Sequence, residues 1–142
     1  MYNRILLTVD LNDESSWRRA LPTALEYCRA FDATLHLLTV VPDFGMTVVG
    51  QFFPEGYADK AVAQAKTELR DFAAKHVPAG VKVRQVVAYG TIYREILEAA
   101  RKVDADLIVI ASHRPELKDY LLGPNASRVV RHAKRSVLVV RE

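Results

Sequence analysis

The run ADLIVIAS, residues 105–112, decides the fold of this 142-residue chain. It is rich in Val, Ile and Leu and nearly continuous rather than alternating, which is typical of a strand buried on both faces. Three other runs have the same character: RILLTVD (residues 4–10), TLHLLTVV (34–41) and SVLVVRE (136–142). KVRQVVAY (82–89) alternates more with polar residues and predicts an edge strand. The sequence therefore predicts a parallel sheet of five strands.

Apolar residues at steps of three and four predict a helix between each pair of consecutive strands. Pro22 interrupts the first of these patterns, which predicts either a kink or a late helix start. The residues that carry the patterns are Trp17, Leu21, Ala24, Leu25 and Cys28 in the first helix, residues 59–76 in the second, Tyr93, Ile96, Leu97 and Ala100 in the third, and Ala126, Val129, Val130 and Ala133 in the fourth. Strict β-α alternation predicts one doubly wound α/β domain over residues 1–142, with right-handed crossovers.

Composition narrows the class of protein. Half of the residues are apolar and about a quarter are charged, as in an ordinary globular protein. The formal net charge of +3 is too small to argue for nucleic acid as a partner. Cys28 has no second cysteine to pair with, the N-terminus lacks a signal peptide, and no apolar run is long enough to span a bilayer. We expect a cytoplasmic protein without a membrane segment.

Sequence signals for catalysis and for metal binding are missing. The chain contains no G-x-S-x-G, no G-x-x-x-x-G-K-[ST] and no strand-borne G-x-G-x-x-G motif. Cys28 lies on an apolar helix face, and His36, His76 and His132 do not have the spacing of metal ligands. We therefore predict no catalytic residue and no metal ligand in the chain.

A ligand site is expected at the carboxyl ends of the strands, where the strand order reverses. Asp10 follows the first strand, Val40 and Val41 end the second, and residues 111–114 follow the fourth. Two interpretations of Asp10 stay open on local context: a carboxylate that binds a ribose hydroxyl or lies near a metal-bound phosphate, or a cap of the next helix.

The glycine and proline at residues 123 and 124 start the last predicted helix. Free N–H groups at a helix N-terminus suit an anion, yet Gly followed by Pro is also the ordinary start signal, and local context favours the plain start. Basic residues follow on this helix, with Arg128, Arg131 and Arg135 on one predicted face and Lys134 beside them. They indicate a solvated surface rather than a nucleic-acid site, because aromatic residues do not interleave with them.

These motifs together resemble the universal stress protein family over essentially the whole chain. The matching stretches are ILLTVD, LHLLTVV, the strand ending in Gly90, ADLIVIASHRP and YLLGPNASRVVRHAKRSVLVV. The ASHRP form resembles the small single-domain members found in enteric bacteria. The resemblance implies a cytoplasmic stress-response protein with strand order 3-2-1-4-5, helices on both faces of the sheet, and the nucleotide-binding fold of the adenine alpha hydrolase type.

The resemblance also implies partners. Many members bind ATP, often with Mg²⁺, and members commonly dimerise by pairing their last strands. Here that strand runs from Ser136 to Glu142, and an apolar edge strand invites such a partner. The family phosphate loop reads G-x-x-G, nine residues, then G-[ST]. This chain has Ala111 and Arg114 at the positions of the first two glycines. Eight residues rather than nine separate Arg114 from Gly123, and Pro124 stands at the Ser/Thr position.

The site that the resemblance implies has two ends. The adenosine end comprises Thr8, Asp10 and Val40, and the phosphate end comprises Ala111, Ser112, Arg114, Gly123, Asn125, Ala126 and Ser127. The expected function is a regulatory homodimer that binds ATP or AMP between strands 1 and 4, with at most slow ATP hydrolysis. The alternative is a dimeric interaction module that has lost nucleotide binding and meets an unknown protein partner through residues 42–58.

Overall fold

A computed structural model describes residues 1–42, 56–112 and 123–141 of the chain. Its five strands form one parallel sheet in the order β3-β2-β1-β4-β5, which confirms the predicted fold. The strands are β1 (Arg4–Thr8), β2 (Thr34–Pro42), β3 (Val83–Gly90), β4 (Leu107–Ala111) and β5 (Ser136–Val140). As predicted, β3 is an edge strand, with Arg84, Gln85 and Tyr89 exposed.

In the described part of the chain, four α-helices cover the sheet on both faces. They are α1 (Ala20–Phe31), α2 (Tyr57–His76), α3 (Ile92–Lys102) and α4 (Pro124–His132). A short 3-10 helix, Glu14–Ser16, precedes α1. Within the described ranges, no helix is both long and apolar enough to cross a membrane.

Each face of the sheet has its own core. On one face, Ile5, Leu7 and Val109 pack with the buried residues of α1 and α2. On the other, Leu6 and Ile108 pack with the buried residues of α3 and α4. Because successive side chains of a strand point to opposite faces, two covered faces require apolar residues at every position. This is why β1 and β4 are continuous apolar runs.

Three of the apolar runs are longer than the strands they contain. β1 ends at Thr8 rather than Asp10, and β4 covers Leu107–Ala111 rather than residues 105–112. β5 ends at Val140, and the predicted last residue, Glu142, lies outside the described ranges. Apolar character persists past the end of β1 because Val9 is still buried, and its N–H donates to the Leu38 carbonyl at 2.8 Å.

The helix after β1 starts late, which is one of the two outcomes that Pro22 allowed. α1 begins at Ala20, so Pro22 lies in the first turn, where amide groups lack an acceptor within the helix. Trp17 therefore precedes α1, yet it still packs on the α2 residues Phe72 and His76, with ring centroids 5.1 and 4.7 Å away. The apolar pattern was correct about burial but not about helical conformation at Trp17.

The basic residues near the end of the chain do not share one helical face, contrary to the prediction. α4 ends at His132, so Arg135 lies beyond the helix. Its Nε donates to the Ala105 carbonyl at 2.6 Å, and its Nη2 lies 3.6 Å from an Asp104 carboxylate oxygen. Arg128 stays on α4, with its guanidinium 5.2 Å from the centre of the Tyr93 ring. Arg135 thus connects the residues just before β5 to the residues just before β4.

Candidate functional site

A cleft of about 550 Å³ opens at the carboxyl ends of β1, β2 and β4. β1 and β4 are neighbours in the sheet, and the strand order reverses between them, so the cleft lies at the switch point where open α/β sheets bind ligands. The starts of α3 and α4 and one side of α2 complete its walls. Its volume is in the range of sites that enclose small organic molecules.

The structure brings only part of the predicted site residues into this cleft. Five of them line it, namely Thr8, Asp10, Val40, Ala111 and Asn125. Four others are described but lie outside the cleft lining, namely Ser112, Gly123, Ala126 and Ser127. Arg114 falls outside the described residues, as do residues 43–55 of the predicted partner surface.

Asp10 occupies a turn at the mouth of the cleft rather than the end of a strand. Its N–H donates to Ser16 Oγ at 2.8 Å, and its Oδ1 accepts from the Asn12 N–H at 3.0 Å. Asp13 is the residue that caps the following 3-10 helix, because its Oδ1 accepts from the Ser15 N–H at 3.0 Å. The helix-cap interpretation of Asp10 is therefore wrong. Asp10 Oδ2 has no hydrogen-bond partner among the described residues and is available to a donor on a ligand.

The cleft has an apolar side between β2 and α3. Val40 and Val41 from the end of β2 lie across from Ile92 and Ile96 in the first turns of α3, and Ile110 comes from β4. Such a surface suits a flat, mostly apolar group such as a heterocyclic base. Val40 and Val41 were expected at the ligand site as the end of the second strand, but Ile92 and Ile96 were not, because the contribution of α3 depends on its position over β2 and β3.

The start of α4 offers two backbone amide groups at the end of the cleft opposite its apolar side. Gly123 is the N-cap and Pro124 the first helical residue, which has no N–H. The Ser127 N–H already donates to the Gly123 carbonyl at 2.9 Å. The N–H groups of Asn125 and Ala126 are thus left at the positive end of the helix dipole. The Asn125 side chain also lines the cleft.

Ser112 follows β4 and holds a buried polar atom. Its N–H donates to the Val140 carbonyl at 3.0 Å, while its Oγ has no hydrogen-bond partner in the described part of the chain. A buried hydroxyl without a partner carries a free-energy cost. Ser112 is the residue that connects β4 to the loop beyond it, and its Oγ lies beneath the cleft rather than in its lining.

The described lining of the cleft is acidic. It includes Asp10, Asp13 and Glu68 but neither Lys nor Arg. Positive potential among these residues comes from the amides at the start of α4. No group of three or more His, Cys, Asp or Glu side chains within the described ranges is arranged to hold a metal ion.

Cys28 does not contribute chemistry to this cleft. It is buried on α1 in the core between the sheet and the helices. Burial raises the pKa of the Cys28 thiol to about 11, and the nearby Arg29 charge opposes the shift only weakly. The thiolate is the nucleophilic form of cysteine, so Cys28 is a packing residue.

The sequence did not predict that α2 forms part of the wall of the cleft. Ala61, Gln64, Ala65 and Glu68 all line the cleft, and Gln64 Nε2 donates to Glu68 Oε1 at 2.9 Å. The available signal was the pair of small residues at positions 61 and 65, each followed three residues later by a polar side chain. That pattern indicates room beside a helix, but it does not reveal which part of the sheet the helix covers.

The strand order and the cleft at its reversal point define a doubly wound α/β protein with a cleft at the switch point. Within that class, the chain belongs to the universal stress protein family, a family of stress-response proteins, whose pattern it matches over residues 1–141. This confirms the resemblance seen in the sequence.

Individual relatives agree with the family assignment. Universal stress protein G of Escherichia coli O157:H7 is 31% identical over 143 residues, covering 99% of this chain and 100% of that protein. Protein MJ0577 of Methanocaldococcus jannaschii superposes with a TM-score of 0.75 and 26% identity, over 100% of this chain and 97% of that chain. A universal stress protein solved in complex with cAMP has a TM-score of 0.63 and 22% identity, over 99% of this chain and 97% of that one.

Proposed function

We propose that this chain binds an adenine nucleotide, ATP or AMP, in the cleft and acts as a regulatory stress-response protein in the cytoplasm. The observation that carries the proposal is the cleft itself. At one switch point it combines an apolar wall, a carboxylate with one oxygen that no described residue contacts by a hydrogen bond, and the amides of a helix start. A nucleotide needs these three features for its base, ribose and phosphates.

The carboxylates of the cleft lining and the start of α4 determine which end of the cleft the phosphates occupy. The phosphates lie toward the N–H groups of Asn125 and Ala126, because an anion is stabilised at a helix N-terminus and repelled by carboxylates. The base packs on Val40 and Ile92, and a ribose hydroxyl donates to Asp10 Oδ2. The cAMP complex of a family member with this fold supports an adenine nucleotide as the ligand class.

Mg²⁺ fits this arrangement only together with phosphates. Mg²⁺ is usually held by one or two carboxylates plus substrate phosphate oxygens rather than by a cage of protein ligands. Asp10 and Asp13 line the cleft and would supply such carboxylates. The ion would offset the repulsion between these side chains and a triphosphate. No residue is assigned a catalytic role, so hydrolysis of ATP is at most slow.

The proposal includes a homodimer through the last strand, from Ser136 to Glu142. β5 pairs with β4 on one side, and in the sheet as described no strand pairs with its other side. An open apolar edge is stabilised by a second strand. The regulatory role also implies a protein partner.

Calorimetric titration of the purified protein, after removal of bound ligand, tests the nucleotide site. We expect a micromolar dissociation constant for AMP or for ATP with Mg²⁺. Asp10→Ala should weaken binding by about tenfold or more, because it removes a charged hydrogen-bond acceptor. Asp71→Ala, on the exposed face of α2 outside the cleft lining, is the matched control and should change affinity little.

The same titration decides the alternative function. No heat and no competition at millimolar nucleotide would refute the nucleotide site. The departures from the family phosphate loop at Ala111, Arg114 and Pro124 would then account for a closed site. The chain would in that case be an interaction module, and its activity would be sought with protein partners.

A further inference from the structure

Two polar side chains on α2 form a hydrogen-bonded pair in the wall of the cleft. Gln64 and Glu68 are one helical turn apart and both line the cleft, and Gln64 Nε2 lies 2.9 Å from Glu68 Oε1. Ala61 and Ala65 lie beside them in the same lining. The small alanine side chains leave the space in front of the pair to a ligand.

The pair presents hydrogen-bond acceptors to the cleft. A carboxylate only accepts, so the amide nitrogen of Gln64 must face Glu68 and its carbonyl Oε1 must face elsewhere. Glu68 retains Oε2 and further lone pairs, which have no partner among the described residues. A ligand group placed against these oxygens is favoured if it donates and disfavoured if it only accepts.

The position of α2 decides which end of the ligand meets the pair. α2 packs against β3 and β2, on the sheet face of the first core. The start of α4, where the phosphates are placed, belongs to the core of the opposite face, as do Val40 and Ile92. The pair lies on the β2 and β3 side of the cleft, which Val40 and Val41 also line at the end of β2, and a carboxylate at this position also repels phosphate.

We propose that Gln64 and Glu68 determine the base specificity of the cleft by accepting a hydrogen bond from the exocyclic amine of adenine. The inference rests on the proposed function, since it assumes that a purine nucleotide occupies the cleft. A 6-oxo purine carries an acceptor at the same position and would leave the oxygens of the pair facing another oxygen. Such a mismatch is the most discriminating kind of contact in a binding site.

The experiment compares the affinities for AMP and IMP, two nucleotides that differ only at the 6-position and its ring proton. We expect wild type to bind AMP at least about tenfold more tightly than IMP. Glu68→Gln replaces the carboxylate with a nearly isosteric amide that also donates, so the ratio of IMP to AMP dissociation constants should fall several-fold. Any gain from reduced phosphate repulsion applies to both ligands and cancels in the ratio.

Two further measurements keep the result unambiguous. Asp71→Asn removes a carboxylate from the same helix outside the cleft lining and should leave the ratio unchanged. Binding of 2′-deoxy-AMP shows whether the pair contacts the base or the sugar. The affinity for 2′-deoxy-AMP relative to that for AMP should be the same in wild type and Glu68→Gln. A change in that second ratio would mean that the pair accepts from the ribose, which overturns the assignment to the amine.

The outcomes separate this inference from the proposed function. If wild type binds AMP and IMP equally, or if Glu68→Gln leaves their ratio unchanged, the nucleotide site stands and the specificity assignment is wrong. If wild type binds none of the three nucleotides at millimolar concentration, the proposed function itself fails. Because Glu68 is exposed, Glu68→Gln should leave the helix intact, and circular dichroism of the variant checks this.

Discussion

At the scale of single residues, His36 is the least ordinary group in the core. It lies on β2 between Leu6 of β1 and Arg84 of β3, with 7% of its surface exposed. Neither ring nitrogen has a hydrogen-bond partner among the described residues. Burial, followed by the charges of Arg84 and Arg4, lowers the pKa of His36 below its ordinary value of 6.5. The folded protein therefore disfavours the protonated form of this imidazole.

The position of His36 predicts a loss of stability in mild acid. Below about pH 6.5 the unfolded chain takes up a proton at His36 more readily than the folded chain, so the free energy of unfolding falls as the pH decreases through this window. Above this pH window, His36 does not contribute to the pH dependence of the free energy of unfolding. His36→Leu removes the titrating group and keeps an apolar side chain of similar size.

Urea unfolding at about pH 7.5 and about pH 5.5 measures the effect. Wild type should lose more stability between the two conditions than His36→Leu, because only wild type has the site that is protonated on unfolding. Equal losses in both proteins would show that His36 is protonated equally in the folded and unfolded states, against this prediction.

At the scale of elements, the connection from β3 to α3 depends on Gly90. Its φ of +148° is a conformation that side chains disfavour. A Cβ at this position would also lie 3.0 Å from Glu95 Cγ. Gly90→Ala should therefore destabilise the fold by about 1–3 kcal/mol in urea unfolding.

Two variants identify the cause of that loss. Gly80→Ala has no atom within 4 Å of the new Cβ and should change stability little. Gly90→Ala combined with Glu95→Ala removes the steric contact and retains the backbone strain. We expect the double variant to stay destabilised, since the Glu95 side chain is flexible. Full recovery would mean that the contact, rather than φ, is the constraint.

The start of α4 predicts a gain of function. Pro124 is exposed and removes one N–H from the helix end that faces the proposed phosphates, at a position where the family pattern has Ser or Thr. Pro124→Ser adds an N–H and a hydroxyl at this position. Since a hydrogen bond to a charged group contributes about 1.5–3 kcal/mol, ATP affinity should rise about tenfold or more.

Calorimetry with ATP and Mg²⁺ measures this change, and Pro78→Ser, in the turn between α2 and β3, is the matched control. Unchanged affinity in Pro124→Ser would place the phosphates away from the start of α4. A gain in both variants would be a general effect of replacing proline and would also contradict the local explanation.

At the scale of the whole molecule, the open side of β5 is the feature with consequences for assembly. The Val140 carbonyl accepts from Ser112, so Val140 faces β4, and by alternation Val139 directs its N–H and carbonyl to the open edge. Proline at such a position removes an outward donor while leaving the ladder on the other side in place.

Val139→Pro should therefore convert the proposed homodimer to a monomer, as measured by sedimentation or light scattering, without unfolding it. Val139→Ala shortens the same side chain but keeps the N–H, and it should remain dimeric. A wild-type protein that is monomeric at micromolar concentration, or a Val139→Pro dimer, would exclude pairing through β5.

The sequence by itself determined the elements, their order and the family. Apolar character at every position of β1 and β4 predicted strands covered on both faces, because this signal is local and each residue carries it independently. It also placed Asp10, Val40 and Ala111 at the ends of neighbouring strands, and all three line the cleft. Periodicity and motif order suffice for these features because the backbone geometry of strands and helices translates directly into sequence spacing.

The tertiary structure decided what depends on contacts between distant segments. Val9 is buried but lies beyond β1, Trp17 is packed but precedes α1, and Asp10 forms a turn while Asp13 caps the 3-10 helix. The wall of the cleft formed by Gln64 and Glu68 exists only because α2 lies over β2 and β3. Burial and side-chain pairing are set by which elements pack together, and no local pattern in the sequence encodes that choice.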